Sequence, residues 1–262
     1  METIKSKDNL IIKNVKKLKE KKYRIQDKCF LVEGFRFVLE AIKSKFKVKY
    51  IFVCNKTEEK WQEFSKDILL KDVDIFAVSE QILKSISSTN NPQGVVAVVE
   101  NCDNVIDKDI KDGIYILVDK VQDPGNLGTI IRTAHAVGAL GVILTKGTVD
   151  LYNDKTLRST MGSIFHIPIV EDEDFSVIDK LKKQGFKLIA SYLDNESVDF
   201  YSLNLKGKFI LAVGNEGNGI GRDVIKLSDI KAKIPMPGGS ESLNVSVAAS
   251  VMMYEALRQK FN

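Results

Sequence analysis

Short apolar runs of strand length alternate with segments of helical periodicity along this chain, and the alternation is broken once by a polar stretch. Such a pattern calls for sheets whose strands are joined by crossover helices, which is an α/β architecture. The first run has helical spacing over residues 9–22, where Leu10, Ile11, Val15 and Leu18 stand among lysines. Strand patterns follow at 29–33, 48–54, 73–78 and 95–99. Between them lie helices at 35–43, at 57–70 with Thr57 as its cap, and at 81–86 begun by Ser79. The break is residues 101–113, with Asp103, Asp107, Asp109, Asp112 and Gly113. A second run places strands at 114–118, 141–145, 167–170, 187–191 and 209–213. Its helices are expected at 127–137, 156–165, 175–184 and 245–260. The expected organisation is therefore two α/β domains, residues 1–105 and 106–262, the second built mainly on a parallel sheet. No internal repeat is visible.

A chain of 262 residues can carry two such cores. No stretch approaches 18 uncharged apolar residues, and the charged first 14 residues lack the apolar core of a secretory signal. The expectation is a cytoplasmic protein that engages no membrane. Cys29, Cys54 and Cys102 are odd in number and form no CxxC pair, and His135 and His166 are 31 positions apart. Neither set has metal-ligand spacing, so structural thiols and no metal site are expected.

Charge is unevenly placed. Residues 1–50 hold 15 Lys and Arg against 6 Asp and Glu, whereas the rest holds 24 against 29. The excess peaks at Lys13, Lys16, Lys17, Lys19, Lys21, Lys22 and Arg24, a density suited to polyanion phosphates. Lys13, Lys16, Lys17, Lys21 and Arg24 are the candidate contacts to such a polyanion, RNA among them. The plainer reading of the same cluster is a solvated helix face.

Three segments carry residues with chemical use. Residues 119–138, DKVQDPGNLGTIIRTAHAVG, follow a strand directly; Gly125 and Gly128 suit a tight turn, and the helix after it directs free N–H groups at that turn, where anions bind. Arg132 lies on this helix without a packing need. The glycines read GxxG and not the GxGxxG of dinucleotide sites. Residues 209–221, FILAVGNEGNGIG, run a strand into Gly214, Gly217, Gly219 and Gly221, with Glu216 among them; no GK[ST] follows. In residues 233–255, KIPMPGGSESLNVSVAASVMMYE, prolines and glycines forbid regular structure before a helix that Ser242 or Asn244 can cap. Each segment alone also reads as an ordinary loop or cap.

Together, DPGNLGTIIRTA, GNEGNGI and IPMPGGSESLNVSVAASVMMYE resemble, in this order, the three signature blocks of the SpoU, or TrmH, family of RNA ribose 2′-O-methyltransferases. RSTMGSIFHIP resembles the family's linking segment, and FLVEGFRFVLEAI with NPQGVVAVV resembles the smaller substrate-binding domain that many members carry in front, similar to RNA-binding ribosomal proteins. The resemblance implies a catalytic domain whose C-terminal part forms a deep trefoil knot, an exception to the rule that chains stay unknotted. It also implies S-adenosylmethionine as cofactor and a homodimer. On the matching positions, Gly214, Ile234 and Leu243 would bind the cofactor through backbone groups, with Met236 lining the adenine pocket. Asn126, Arg132, Glu216, Ser242 and Asn244 match positions assigned to catalysis and RNA handling. Ribosomal RNA is favoured as substrate by the N-terminal domain. Transfer RNA and a non-catalytic RNA-binding assembly role are the alternatives.

The reaction has a ribose 2′-hydroxyl attack a sulfonium methyl in line and lose its proton. The residue matching Arg132 has been proposed in the family as the base. Arginine's pKa above about 12 leaves little free base, so a clamp on the adjacent phosphate and the developing alkoxide is the easier role. Glu216 and Asn126 are expected to position rather than to accept the proton.

Overall fold

The computed structural model describes all residues except Leu69, Lys71, Asp72, Asp103, Val105, residues 107–111 and Asn262. Much of the expected linker at 101–113 thus lies outside the described residues, as does Leu69 at the end of the helix expected over 57–70. The chain forms two compact units: Met1–Cys102 with Tyr152–Leu157, and Asp103–Leu151 with Arg158–Asn262.

The first unit runs β1 (Glu2–Ile4), α1 (Leu10–Lys17), α2 (Lys21–Asp27), β2 (Cys29–Glu33), α3 (Phe35–Lys43), β3 (Val48–Cys54), α4 (Glu58–Ser65), β4 (Asp74–Val78), α5 (Glu80–Ile86) and β5 (Val95–Glu100). Its sheet has the order β1-β4-β3-β5-β2. β4 is parallel to β1 and β3, while β5 is antiparallel to β3 and β2. Ile12, Val15 and Leu18 of the first helical segment pack with Phe52, Val78, Ile82 and Ile86 into one core. The later segment Tyr152–Leu157 joins this unit, and the Tyr152 ring stacks on Phe30 with centroids 4.5 Å apart.

The helix expected over 9–22 is two helices. Asn9 caps the first by accepting from Ile11 N at 2.8 Å, and Glu20 is extended. The chain turns there because Arg24 is buried and its guanidinium donates to the carbonyls of Leu18 (2.8 Å) and Lys19 (2.7 Å). These are the carbonyls that the end of α1 leaves without a helical partner. Arg24, one of the candidate RNA contacts, is thus turned inward to cap a helix and not laid on the exposed face with its neighbouring lysines. Thr57 makes no cap bond either; its hydroxyl joins the carbonyls of Cys54 and Gly94.

The second unit runs β6 (Gly113–Val118), α6 (Pro124–Ala136), β7 (Gly141–Thr145), the last residues of α7 (Asp154–Thr160), whose part up to Leu157 belongs to the first unit, β8 (Ile169–Asp172), α8 (Ser176–Lys183), β9 (Lys187–Ser191), β10 (Val198–Asp199), β11 (Lys208–Val213), α9 (Arg222–Leu227), β12 (Ile230–Lys233) and α10 (Val245–Phe261). Seven strands in the order β10-β12-β9-β11-β6-β7-β8 pair in parallel throughout. Leu117, Ile143, Leu188, Ile210 and Ala212 are fully buried in it, as expected for a parallel sheet covered on both faces. The order doubles back beside β6: β7 and β8 extend one way, while β11 and β9 lie on the other side. Ligands in open α/β sheets bind outside the carboxyl ends of strands at such a switch.

In this unit α6 begins at Pro124 with Asp123 as cap, so Gly125 and Gly128 lie inside the helix and not in a turn before it. The helix expected over 156–165 stops at Thr160, where Met161 and Gly162 take positive φ, and resumes as a short 3-10 turn, Ser163–Phe165. Neither α9 nor β12 is expected from the sequence. Both are short, and of Arg222–Leu227 only Val224 is buried.

Candidate active site

Val118 of β6 and Val213 of β11 are register partners, so the loops that leave these strands start side by side. Asp119 fastens them. Its carboxylate is buried, accepting from Thr145 Oγ1 at 2.7 Å and from Gly221 N at 2.6 Å, while Asp119 N donates to Val213 O. Asn215 adds a second tie, donating from Nδ2 to Lys120 O at 2.9 Å and accepting from Gly217 N and Asn218 N at 3.0 Å. Sequence reasoning passed over both residues. An Asp at the end of an apolar strand and an Asn just before a glycine-rich turn are the signals for them.

Gly214 is where the close approach requires glycine. A Cβ there would lie 2.3 Å from Gly219 C and Ile220 N, which no rearrangement of a side chain relieves. The loop thereby folds tightly and presents Glu216 toward α6. The carboxylate of Glu216 accepts from Gln122 N and Asp123 N at 3.1 Å and from Asn126 Nδ2 at 3.0 Å. The anion at the start of α6 is thus a carboxylate of the same chain. Burial alone would raise the Glu216 pKa, but the donors from Asn126, Gln122 and Asp123 outweigh it and hold the carboxyl below its ordinary value.

Asn126 passes this arrangement on. Its Oδ1 accepts from Asn244 Nδ2 at 3.1 Å, and Asn244 Oδ1 accepts from Ser246 N at 3.0 Å and Ser246 Oγ at 2.7 Å, capping α10. Of the two residues expected to cap that helix, Asn244 does so. All three sequence segments thus meet through Glu216, Asn126 and Asn244.

Beside this junction, the carboxyl ends of β9, β11 and β12 and the start of α10 enclose a cavity of about 550 Å3. Gly214, Ile234, Met236 and Leu243 all line it, as do Glu216, Ser242 and Asn244. Ile234 is buried, Met236 half-buried and Leu243 partly exposed. Tyr192 and Glu241, not singled out from the sequence, also face it. The wall combines apolar side chains with irregular backbone, the makeup of a site for a flat, polar-edged ligand.

Asn126 does not line the cavity but supports its rim. Arg132 does not line it either. It sits about two turns further along α6, exposed, and its side chain makes no hydrogen bond or ion pair with the described residues. α6 packs on α10, where Thr133 and Ser250 hydroxyls lie 3.2 Å apart. His135 and His166 stack with ring centroids 5.2 Å apart, and no group of three or more metal-ligating side chains occurs among the described residues.

In the first unit, Lys13, Lys16, Lys17 and Lys21 are exposed. Lys13 pairs with exposed Asp8 at 2.9 Å, and Lys17 reaches Asn14 Oδ1 at 3.3 Å. Among the described residues, no helix is long and apolar enough to cross a membrane.

Residues 113–254 match the SpoU rRNA Methylase family, and residues 9–97 match the MRM3-like substrate binding domain. The chain is 39% identical, over 97% of its length and 98% of the relative's, to the 23S rRNA (guanosine(2553)-2′-O)-methyltransferase RlmP of Bacillus subtilis (strain 168). It is 30% identical, over 89% of its length and 84% of the relative's, to the 23S rRNA (uridine(2479)-2′-O)-methyltransferase of Streptomyces viridochromogenes. Among solved structures, the AdoMet-bound rRNA methyltransferase from Sinorhizobium meliloti superposes with a TM-score of 0.86 at 32% identity, covering 98% of this chain and 97% of that one. The SpoU methyltransferase AviRb from Streptomyces viridochromogenes, in complex with AdoMet, gives 0.88 at 28% identity over 97% and 99%.

Proposed function

The chain belongs to the SpoU rRNA methylase family, and from that membership we propose that it transfers a methyl group from S-adenosylmethionine to a ribose 2′-hydroxyl of RNA, with ribosomal RNA as substrate. The observation that carries the reading is the junction of Glu216, Asn126 and Asn244 at the rim of the cavity formed by strand ends.

The cavity suits the cofactor. Its size accommodates a nucleoside carrying an amino-acid arm, and its apolar walls stand beside backbone groups that no sheet or helix uses. Gly214, Ile234 and Leu243 would hold it chiefly through those backbone groups, with Met236 against the adenine. S-adenosylmethionine supplies, when bound, an electrophilic methyl on a positively charged sulfur.

The remaining work falls to side chains of this chain. Arg132 offers a fork of N–H donors and no acceptor, so we assign it to clamp the phosphate beside the target ribose and to stabilise negative charge developing on the 2′-oxygen. Glu216 stays ionised and engaged by three donors, which makes it a poor proton acceptor; it positions Asn126. Asn244 positions the start of α10, and Ser242 offers a hydroxyl at the cavity wall.

Finer assignments follow from membership. We assign residues 1–105 to RNA binding and 106–262 to methyl transfer. We assign the trefoil knot to the C-terminal part of the second unit, a reading supported by the return of residues 234–244 to α6 through the Asn244 to Asn126 bond. A homodimer is supported by the exposure of Arg132 on α6 and of Val247 (47%) and Tyr254 (53%) on α10. The place of work is assigned to the cytoplasm, where ribosomal RNA is handled. Incubation with labelled S-adenosylmethionine and total RNA, followed by mapping of the methylated nucleotide, tests the reading. A label on ribosomal ribose supports it; a label on a base or on transfer RNA alone overturns it.

A further inference from the structure

The first unit holds a second cavity, of about 400 Å3, that the methyl-transfer chemistry does not use. Its floor is apolar: Val15, Leu18, Cys29 and Val98 are all buried. Two half-buried tyrosines, Tyr23 of α2 and Tyr50 of β3, line it. Tyr50 is seated against Phe52 and Phe76, with centroids 6.3 and 6.0 Å away, so its ring is fixed from behind. Both rings have cations near them. Lys17 and Lys22 lie 5.7 Å from the Tyr23 centroid, and Lys49 lies 5.8 Å from that of Tyr50. The side chains of Asn14, Gln26 and Asp27 supply hydrogen-bonding groups at the same cavity.

A phosphate-only site has no need of two rings and an apolar floor, and a purely apolar ligand has no need of three lysines. A nucleotide uses both: its base stacks on an aromatic face and its phosphates meet the ammonium groups. The surrounding charge, strongly positive over residues 1–50, attracts a polyanion. Asp27 can only accept hydrogen bonds when ionised, which favours a base edge bearing amino or imino donors. We propose that this cavity receives one unstacked, amino-bearing nucleobase of the RNA substrate, stacked on Tyr23 or Tyr50, with Lys17 and Lys49 on its flanking phosphates. The proposal rests on RNA being the substrate.

Tyr23→Leu keeps apolar volume and removes the ring, whereas Tyr23→Phe keeps the ring. The full chain is titrated with a 23S ribosomal RNA transcript by fluorescence anisotropy, and with S-adenosylmethionine by calorimetry. The expected result is a loss of RNA affinity of roughly tenfold or more for Tyr23→Leu, near-native affinity for Tyr23→Phe, and unchanged cofactor affinity for both. Native RNA affinity in both Tyr23→Leu and Tyr50→Leu overturns the base pocket while leaving the proposed function standing, and assigns the cavity to another ligand. Equal losses in Tyr23→Leu and Tyr23→Phe overturn stacking in favour of a role for the hydroxyl. Absence of RNA binding by the native protein defeats the functional reading itself. Tyr50→Phe against Tyr50→Leu repeats the comparison on the other ring, also where Tyr23→Leu lowers cofactor affinity through misfolding.

Discussion

Asn244 donates its side-chain amide to Asn126 across 118 positions of sequence, at 3.1 Å. The direction of that bond is set by Glu216. An ionised carboxylate only accepts, so Asn126 must turn its Nδ2 to Glu216 and its Oδ1 to Asn244. Asn244 must then give its Nδ2 and keeps Oδ1 for the free N–H groups at the start of α10. One carboxylate thereby orients two amides and a helix terminus, and a change at any member reaches the others.

Asn126→Asp sets a second carboxylate against Glu216 and breaks the order of donors. The rim of the cavity proposed for the cofactor shifts, and misplacement of about 1 Å costs roughly a hundredfold in rate. Steady-state methyl transfer should show kcat/KM reduced by about that factor, with the melting temperature changed far less. An Asn126→Asp enzyme of native rate would show that the amide chain does not shape the site.

Gly214→Ala pushes a methyl group into the backbone of Gly219 and Ile220. Overpacking of this kind costs on the order of 1–3 kcal/mol, and here the strain falls on a cavity wall. Calorimetry should find cofactor affinity abolished or strongly weakened, together with a lowered melting temperature. Gly217→Ala has open space around it apart from Asn215 Oδ1 at 3.7 Å and should be close to native.

Glu216 carries a pH signature. Its folded pKa lies below the ordinary 4.5, so the stability it adds is complete above that value and is lost as pH falls through the lower folded one. In Glu216→Gln, an amide NH2 faces donors, and no titration remains at that position. Thermal melts should show the native protein more stable than Glu216→Gln at neutral pH, with the gap closing as pH drops below about 4.5. A gap that stays constant down to about pH 3 would falsify the assignment of Glu216 as the ionised acceptor.

The N-terminal basic cluster divides into two roles. Lys16→Glu and Lys21→Glu, both at exposed positions, should weaken RNA binding and flatten its salt dependence, the log–log slope falling by about one for each phosphate no longer neutralised. Arg24→Ala should act otherwise. Removing a buried guanidinium that holds two carbonyls destabilises by about 1–3 kcal/mol, read as a lower melting temperature. A Lys16→Glu, Lys21→Glu protein with native salt dependence would return those lysines to a solvated face.

Lys16 and Arg24 are both cations in one lysine-rich run, and only the turn at Glu20 sends Arg24 inward to the end of α1. Sequence cannot distinguish them, because burial there depends on where the chain turns. The alternation of strands and helices was readable because buried parallel strands are apolar runs rich in β-branched residues, as in Ile114 to Val118. β12 was not, because Ile230–Lys233 is only four residues, IKAK, too short for its alternation of Ile230 and Ala232 with lysines to stand out from loop. The glycine and proline breaks mark only where backbone leaves regular structure; Gly214, Ile234, Met236 and Leu243 could be singled out there because the blocks that hold them resemble those of the family. Asp119 could not, since its partners Thr145 and Gly221 come from two distant segments that only the sheet order brings together.

In the proposed function these segments form a ribose methyltransferase with Arg132 as its clamp. The most direct test is transfer of labelled methyl from S-adenosylmethionine to ribosomal RNA by the native chain, Arg132→Lys and Arg132→Ala, with the product nucleotide mapped. The expected outcome is a single 2′-O-methylated ribose from the native enzyme, partial activity in Arg132→Lys, and near-complete loss in Arg132→Ala with cofactor affinity retained. Native activity in Arg132→Ala, or a methyl group found on a base, would contradict it.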